Sequence, residues 1–349
     1  MGRNMKKWLE GLRTAERKRA FPILAFPAVQ LMGITVRELI SDSGRQAEGM
    51  KLIARRVDAA AAVSLMDLSV EAECFGAEVV VSEDEVPTVR GRIVSTPEEV
   101  EKLSVPALGG ARGAKAGAGS GNRTGIYIDA IRKAKEAILD RPVFAGMIGP
   151  YSLAGRLADV TEIMYYCYDE PEMVAALLDK VTEFLIAYGT AYKEVGADGI
   201  MLAEPLAGML SPELAAEFSA PYVKRIVEAL QDESFLVIYH NCGNCTIQMI
   251  ASVLDTGAAA FHFGNAIDMA EMLPLVPEDT VVMGNVDPVG QFRSGTPESI
   301  RQVTRELLEA CGGYRNFVIS SGCDIPPKAK WENIDAFFGE VAAYYGEGL

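Results

Sequence analysis

Short apolar runs, each stopped by Gly, Pro, Asp or a polar residue, recur along the chain. They are Pro22–Pro27, Ala60–Asp67, Val143–Pro150, Ala197–Pro205, Phe235–His240, Ala258–Asn265, Val281–Pro288 and Phe317–Cys323. Runs of this length and composition read as buried strands. Between most of them, apolar residues at three- and four-residue spacing predict helices. One spans Pro171–Val195, with proline in its first turn and Gly196 past its end. Another spans Pro212–Leu230 behind Ser211 as N-cap, and a third opens at Thr296–Glu298 and runs to Cys311. Eight buried strands alternating with helices predict an α/β fold, a closed (β/α)8 TIM barrel. Two doubly wound domains would need as many strands, but no dinucleotide glycine fingerprint follows the first run.

In such a barrel the chemistry sits where the strands end. The residues there are Asp67, Tyr151, Glu204, His240, Cys242, His262, Asn265, Asn285, Asp287, Cys323 and Asp324. We expect residues 1–349 to form one catalytic barrel domain, with 1–20 as an N-terminal helical extension. The stretch 74–141, between the second and third strands, is too long for an ordinary crossover and is expected to be an excursion or lid. Within it, Ala77–Val94 alternates weakly, as a hairpin would. Gly109–Gly121 (GGARGAKAGAGSG) is low-complexity and meets neither the P-loop nor the G-x-G-x-x-G spacing.

The stretch FLVIYHNCGNC (Phe235–Cys245) carries the sharpest chemistry. His240 and Cys242 are two apart, so in extended chain they share a face. Imidazole and thiolate are ligands that zinc prefers. A third ligand is offered by Cys323, after the last apolar run. Three protein ligands and one open position describe a catalytic rather than a structural zinc. Other readings remain at this level. Cys242 and Cys245 have the C-x-x-C spacing of a redox pair, Cys245 could replace Cys323, and all the cysteines could be apolar fillers. Glu204 and Asp67 end apolar runs, where a buried carboxylate is costly unless paired, so both are candidate catalytic groups. The bland alternative is a capping carboxylate, as Asp287 before Pro288 would be. His262, inside AFHFG, is a candidate lining residue, and Tyr151, Asn265 and Asn285 are candidates to touch a cofactor.

Charge narrows the partners. The net charge is −15, from 48 acidic and 33 basic residues among 349. Such a chain does not suit a nucleic acid. Basic residues are dense only around Arg3–Lys7 and Arg13–Arg19, where Trp8, Leu9 and Leu12 at helical spacing predict a solvated amphipathic helix. No apolar core of a signal peptide follows, and no apolar run reaches the ~20 residues of a membrane span. A cytoplasmic protein without membrane insertion is expected. The six cysteines are scattered, which favours metal binding or burial over disulfides.

Several stretches together resemble the uroporphyrinogen decarboxylase superfamily. They are MDLSVEAECFGAEV (Met66–Val79), IGPYSLAGRL (Ile148–Leu157), EPLAGMLSPELAAEFSAPYV (Glu204–Val223), HNCGNC (His240–Cys245), GNVDP (Gly284–Pro288) and SSGCDIPP (Ser320–Pro327). Within the superfamily the chain is most similar to the methylcobalamin:coenzyme M methyltransferase branch. The decarboxylases carry arginines near the start for their polycarboxylate substrate, whereas the matching FPAVQLMGI (Phe26–Ile34) has none. They also carry a histidine where this chain has Cys323, although Asp67 matches their catalytic aspartate. The resemblance implies zinc on His240, Cys242 and Cys323. It implies a methylcobalamin or other corrinoid brought by a partner corrinoid protein, and a small-molecule methyl acceptor or donor. Glu204, Asp67 and His262 are then expected to orient that substrate. Uroporphyrinogen decarboxylation is the alternative activity.

Overall fold

The computed structural model describes residues 3–109 and 122–346. Its strands are β1 (Ala62–Val63), β2 (Glu78–Val80), β3 (Thr88–Arg90), β4 (Val143–Ile148), β5 (Gly199–Ala203), β6 (Leu236–Asn241), β7 (Ala260–Phe263), β8 (Val281–Val286) and β9 (Phe317–Ser321). Seven of them form one curled parallel sheet in the order β1-β4-β5-β6-β7-β8-β9, with helices outside it. This is the expected α/β barrel, with one correction. The first apolar run is extended chain rather than a strand of the sheet. It still lies in the gap between β9 and β1, because Phe21 N–H donates to Ile319 O (3.0 Å) and Ala60 N–H to Ala20 O (2.8 Å). Pro22 has no N–H to continue a ladder, and Ile23 N–H goes to the Ser321 hydroxyl (3.1 Å).

Alternation along the strands sorts side chains into two layers. Phe21, Ile23, Val63, Phe144, Met201, Ala203, Leu236, Ile238, Ala260, Val281, Met283 and Val318 fill the barrel. Leu202, Val237, Tyr239, Phe261, Phe263 and Val282 face the helices instead. The helix Met5–Thr14 plugs the lower end. Its Met5 and Leu12 are buried in the inner layer with Trp8 and Leu9 against it, so this helix is less solvated than its charges predict.

The helix Pro171–Glu194 matches its prediction within a residue. The predicted Pro212–Leu230 helix is two, Pro212–Phe218 and Ala220–Leu230. Pro221 cannot donate inside a continuous helix, so the chain breaks at Ser219. The excursion holds the expected hairpin, β2 antiparallel to β3 with Val79 opposite Val89. It also holds the helices Pro97–Lys102 and Thr124–Ala137. The low-complexity stretch from 110 to 121 lies outside the described residues. Among these, no helix is long and apolar enough to cross a membrane.

Candidate metal centre

The side-chain parity of β6 decides where the centre forms. Leu236 and Ile238 point into the barrel, so His240 does too, at the upper end where the inner layer stops. His240, Cys242 and Cys323 meet there, their ligand atoms all within 4.8 Å of one another. Cys323 Sγ lies 3.5 Å from His240 Nε2. Two glycines permit the approach. A Cβ on Gly264 would sit 2.5 Å from Cys242 Cα, and one on Gly322 would sit 2.7 Å from Asn265 N. Cys245 stands outside this group, with its thiol on Asn244 (3.5 Å).

The hydrogen-bond chain beneath His240 fixes its tautomer. The Ser320 hydroxyl donates to Phe21 O (2.7 Å) and therefore accepts from His262 Nε2 (2.7 Å). His262 Nδ1 is then the unprotonated nitrogen, and it accepts from His240 Nδ1–H at 2.8 Å. His240 Nε2 is left with a free lone pair on the side of Cys242 and Cys323. Burial, and then His240, push the His262 pKa well below its ordinary value, so the ring is neutral as this chain requires. The two sulfurs lie within 4.8 Å of one another, and each shifts the other's proton affinity. The neighbouring thiol holds Cys242 below the ordinary thiol value and pushes Cys323 up to about 12, with burial adding to the rise. One imidazole nitrogen with a free lone pair and two sulfurs, one already acidified, form a donor set that fits zinc.

His262 is thus fully buried below the centre. Its contacts are His240 and Ser320, and the geometry gives it the position of a group that orients a ligand rather than touching a substrate. For His262→Phe we expect metal affinity to fall roughly 10–100-fold with the fold retained. Competition with a chromophoric chelator, alongside circular dichroism, checks this.

The other expected site residues separate. Met201 and Ala203 face inward, so Glu204 faces outward, and its carboxylate is buried against the helix Pro150–Ala158. There it accepts from Ser152 N–H (3.0 Å) and the Ser219 hydroxyl (3.0 Å). Gly149 leaves room for it, since a Cβ there would come within 2.1 Å of Oε1. Glu204 caps that helix from a neighbouring strand and lines no part of the mouth. Burial raises its pKa to about 7, against the opposing pull of the Ser152 amide. The folded chain therefore keeps a proton that the unfolded chain releases near its ordinary value of about 4.3. Stability from this group is full below that value and is lost as pH rises through about 7. Glu204→Gln removes this loss. Between about pH 5.5 and about pH 8 we expect it to gain on the parent by on the order of 1–2 kcal/mol, read by urea denaturation.

Tyr151 is also turned away, its buried hydroxyl 3.7 Å from Cys167 Sγ. Asn285 faces inward but donates to Gly264 O and Ile267 O, both at 2.9 Å, and so fixes the turn after β7. Asp287 caps the next segment through Val289 N–H and Gly290 N–H, as the bland reading has it. Asn265 alone of the three cofactor candidates is exposed, on the rim beside Gly322.

Asp67 lies at the mouth but is fully engaged. It accepts from Arg123 Nη1 (2.5 Å), the Tyr127 hydroxyl (2.7 Å) and the Ser69 hydroxyl (2.5 Å). Arg123 also donates to Glu73 (2.7 Å) and Ser69 (2.8 Å). The sequence reading missed Arg123 and this network. A signal existed: Glu71 and Glu73 sit on the short helix Val70–Cys74 just after Asp67, and three carboxylates so close require a buried cation. The mouth accordingly has two halves. The ends of β6 and β9 carry the imidazole and sulfurs, and the segment after β1, with Arg123 at the start of the helix Thr124–Ala137, carries the charges.

Comparison with known proteins follows the same line. The uroporphyrinogen decarboxylase (URO-D) family model matches residues 23–344. The methylcobamide:CoM methyltransferase MtbA of Methanosarcina acetivorans is 30% identical over 264 residues, covering 74% of this chain and 72% of that one. A uroporphyrinogen decarboxylase of Psychromonas ingrahamii is 26% identical over 298 residues, covering 81% and 79%. A solved methyltransferase from Methanosarcina mazei superposes with a TM-score of 0.82 at 22% identity, covering 98% of this chain and 99% of that one, which speaks for the fold.

Proposed function

The chain belongs to the uroporphyrinogen decarboxylase (URO-D) family, and on that premise we propose that it is a zinc-dependent methyltransferase of a corrinoid system. The observation that carries the reading is the cluster of His240, Cys242 and Cys323 within 4.8 Å on the inward face of the mouth. These three would hold zinc. When bound, zinc supplies Lewis acidity toward a thiol acceptor or toward an O- or N-methylated donor. The methyl-bearing corrinoid would come on a partner protein docking over the mouth.

The chain's own residues prepare that chemistry. His240 offers Nε2 because His262 and Ser320 hold its proton on Nδ1. The acidified Cys242 thiol surrenders its proton first. The inner layer below excludes water from the floor. Met209 after β5 and Val289 after β8 are exposed apolar side chains on the rim, suited to a docking protein.

Decarboxylation of uroporphyrinogen finds less support. Asp67 is held by four donors, counting the Ser69 amide, and Cys323 stands where that activity's relatives carry histidine. The test is metal content together with turnover. We expect about one zinc per chain and zinc-dependent demethylation of methylcobalamin with a thiol, followed by cobalamin absorbance. Conversion of uroporphyrinogen by metal-stripped protein would overturn the reading.

A further inference from the structure

The sequence around β6 holds one more zinc donor than a catalytic site uses. Cys242 and Cys245 have the C-x-x-C spacing with which a turn grips zinc through both sulfurs. Together with His240 and Cys323 they would make a closed set of four, which is a structural site with no free position. The fold instead keeps Cys245 apart, packed half-buried against the outer layer, while Cys242 joins the cluster. The turn between the two cysteines is pinned from Asn241. This residue follows His240 on β6, so it points outward like Val237 and Tyr239, and it is fully buried. Its Oδ1 accepts from Gly243 N–H (2.9 Å), and its Nδ2 donates to the Tyr239 hydroxyl (3.0 Å). The buried Thr246 hydroxyl, 2.7 Å from Gly243 O and 3.0 Å from Asn241 Oδ1, shares its proton between them. The turn after β5 closes the clamp, because Cys245 N–H donates to Gly208 O (3.1 Å). Gly208 and Gly243 press backbone to backbone: a Cβ on Gly243 would come within 2.3 Å of Gly208 O, and one on Gly208 within 2.2 Å of Asn241 Oδ1. A buried amide that commits its oxygen to two residues of one turn holds that turn in a single shape.

We propose that Asn241 and Thr246 are positioning residues that present Cys242 to the metal and hold Cys245 away from it, so that one coordination position stays open for substrate. With the clamp released, the turn offers both sulfurs of the C-x-x-C pair. Cys245 then binds as a thiolate, its proton passing to solvent, and fills the open position. Metal affinity and turnover therefore move in opposite directions when the clamp is lost: the site holds zinc more tightly and transfers methyl groups more slowly. A clamp that only braced the strand end would do otherwise, since its loss would loosen Cys242 and weaken metal binding. The proposal rests on the zinc part of the methyl-transfer reading.

The test uses the full chain loaded with zinc, as the parent, Asn241→Ala, Thr246→Val, Thr246→Ser and the double variant Asn241→Ala with Cys245→Ser. Each is alkylated with iodoacetamide while folded, and the labelled cysteines are mapped by mass spectrometry. In the parent we expect Cys245 to be labelled while Cys242 and Cys323 are protected. In Asn241→Ala and Thr246→Val, Cys245 should be labelled at least roughly 10-fold more slowly, as a metal-bound thiolate is. Zinc affinity, read by competition with a chromophoric chelator, should rise at least roughly 10-fold. The same proteins loaded with cobalt(II) should show the charge-transfer absorption of a third thiolate beside the Cys242 and Cys323 pair. Thr246→Ser, which keeps the hydroxyl, should behave as the parent. The double variant should lose the gain in affinity. Thr246→Val keeps the side chain's shape and carries the test if Asn241→Ala fails to fold. Variants that label Cys245 as fast as the parent, with zinc affinity lowered or unchanged, overturn the inference. So does a zinc-loaded parent in which Cys245 is already protected, and in both cases the zinc reading stands. A parent that takes up no zinc overturns that reading and this inference with it.

Discussion

Cys323→Ala should purify with less than about 0.1 zinc per chain, against about one for the parent. Methyl transfer should fall by at least ~10³-fold. The reasoning is one of ligand number. Two donors from one strand end cannot hold a catalytic zinc, and His240 and Cys242 are both from the end of β6. Cys323 closes the set from β9, 83 residues later. Its side chain is only partly buried, and its loss leaves no large cavity, so the metal-free fold should survive. Circular dichroism and melting of the metal-free variant check that point. Metal analysis by mass spectrometry and cobalamin absorbance check the rest. A variant with full zinc and full turnover would show that the sulfur is not a ligand, and Cys245, the nearby thiol outside the cluster, would be tested next.

Arg123→Met should cost about 3–5 kcal/mol of stability. Arg123 is fully buried, and it faces Asp67 and Glu73, whose side chains are buried as well. Removing the cation leaves two carboxylates in a place from which water is excluded. Each must then take up a proton or force the site open. Urea denaturation near neutral pH reads the loss. Adding Asp67→Asn to Arg123→Met should recover more than about 1 kcal/mol, because the two residues share one interaction. Additive losses would mean that Arg123 stabilises by packing alone.

The parts of the site legible in the sequence were those set by local periodicity. The runs ending at His240 and Cys323 announce strands, and the spacing of two between His240 and Cys242 places both on one face. The structure brings all three together. Parity also explains what the sequence hid. Glu204 and Asp67 both end apolar runs, yet which face each occupies depends on the strand's phase, which one residue reverses. Glu204 falls on the helix side and Asp67 within the mouth. Only long-range contacts could disclose that Arg123, 56 residues on, consumes Asp67. The same holds for His262, whose partner Ser320 is 58 residues away. The first run misled because a hydrophobic pattern does not record which N–H groups are available, and Pro22 has none.

The stretch that fills the gap between β9 and β1 has a temporal consequence. Ile23 and Ser321 are 298 positions apart, and their contact seals the cylinder. On a ribosome the early segment can meet the chain before β1, through Ala20 and Ala60, but its other edge must wait until β9 emerges. Cys323 leaves the tunnel just after β9, so the sulfur that completes the cluster arrives with the strand that closes the wall. Nascent chains therefore offer passing ions only a bidentate grip. Selective loading belongs to the finished protein, and truncation before β9 forfeits both at once.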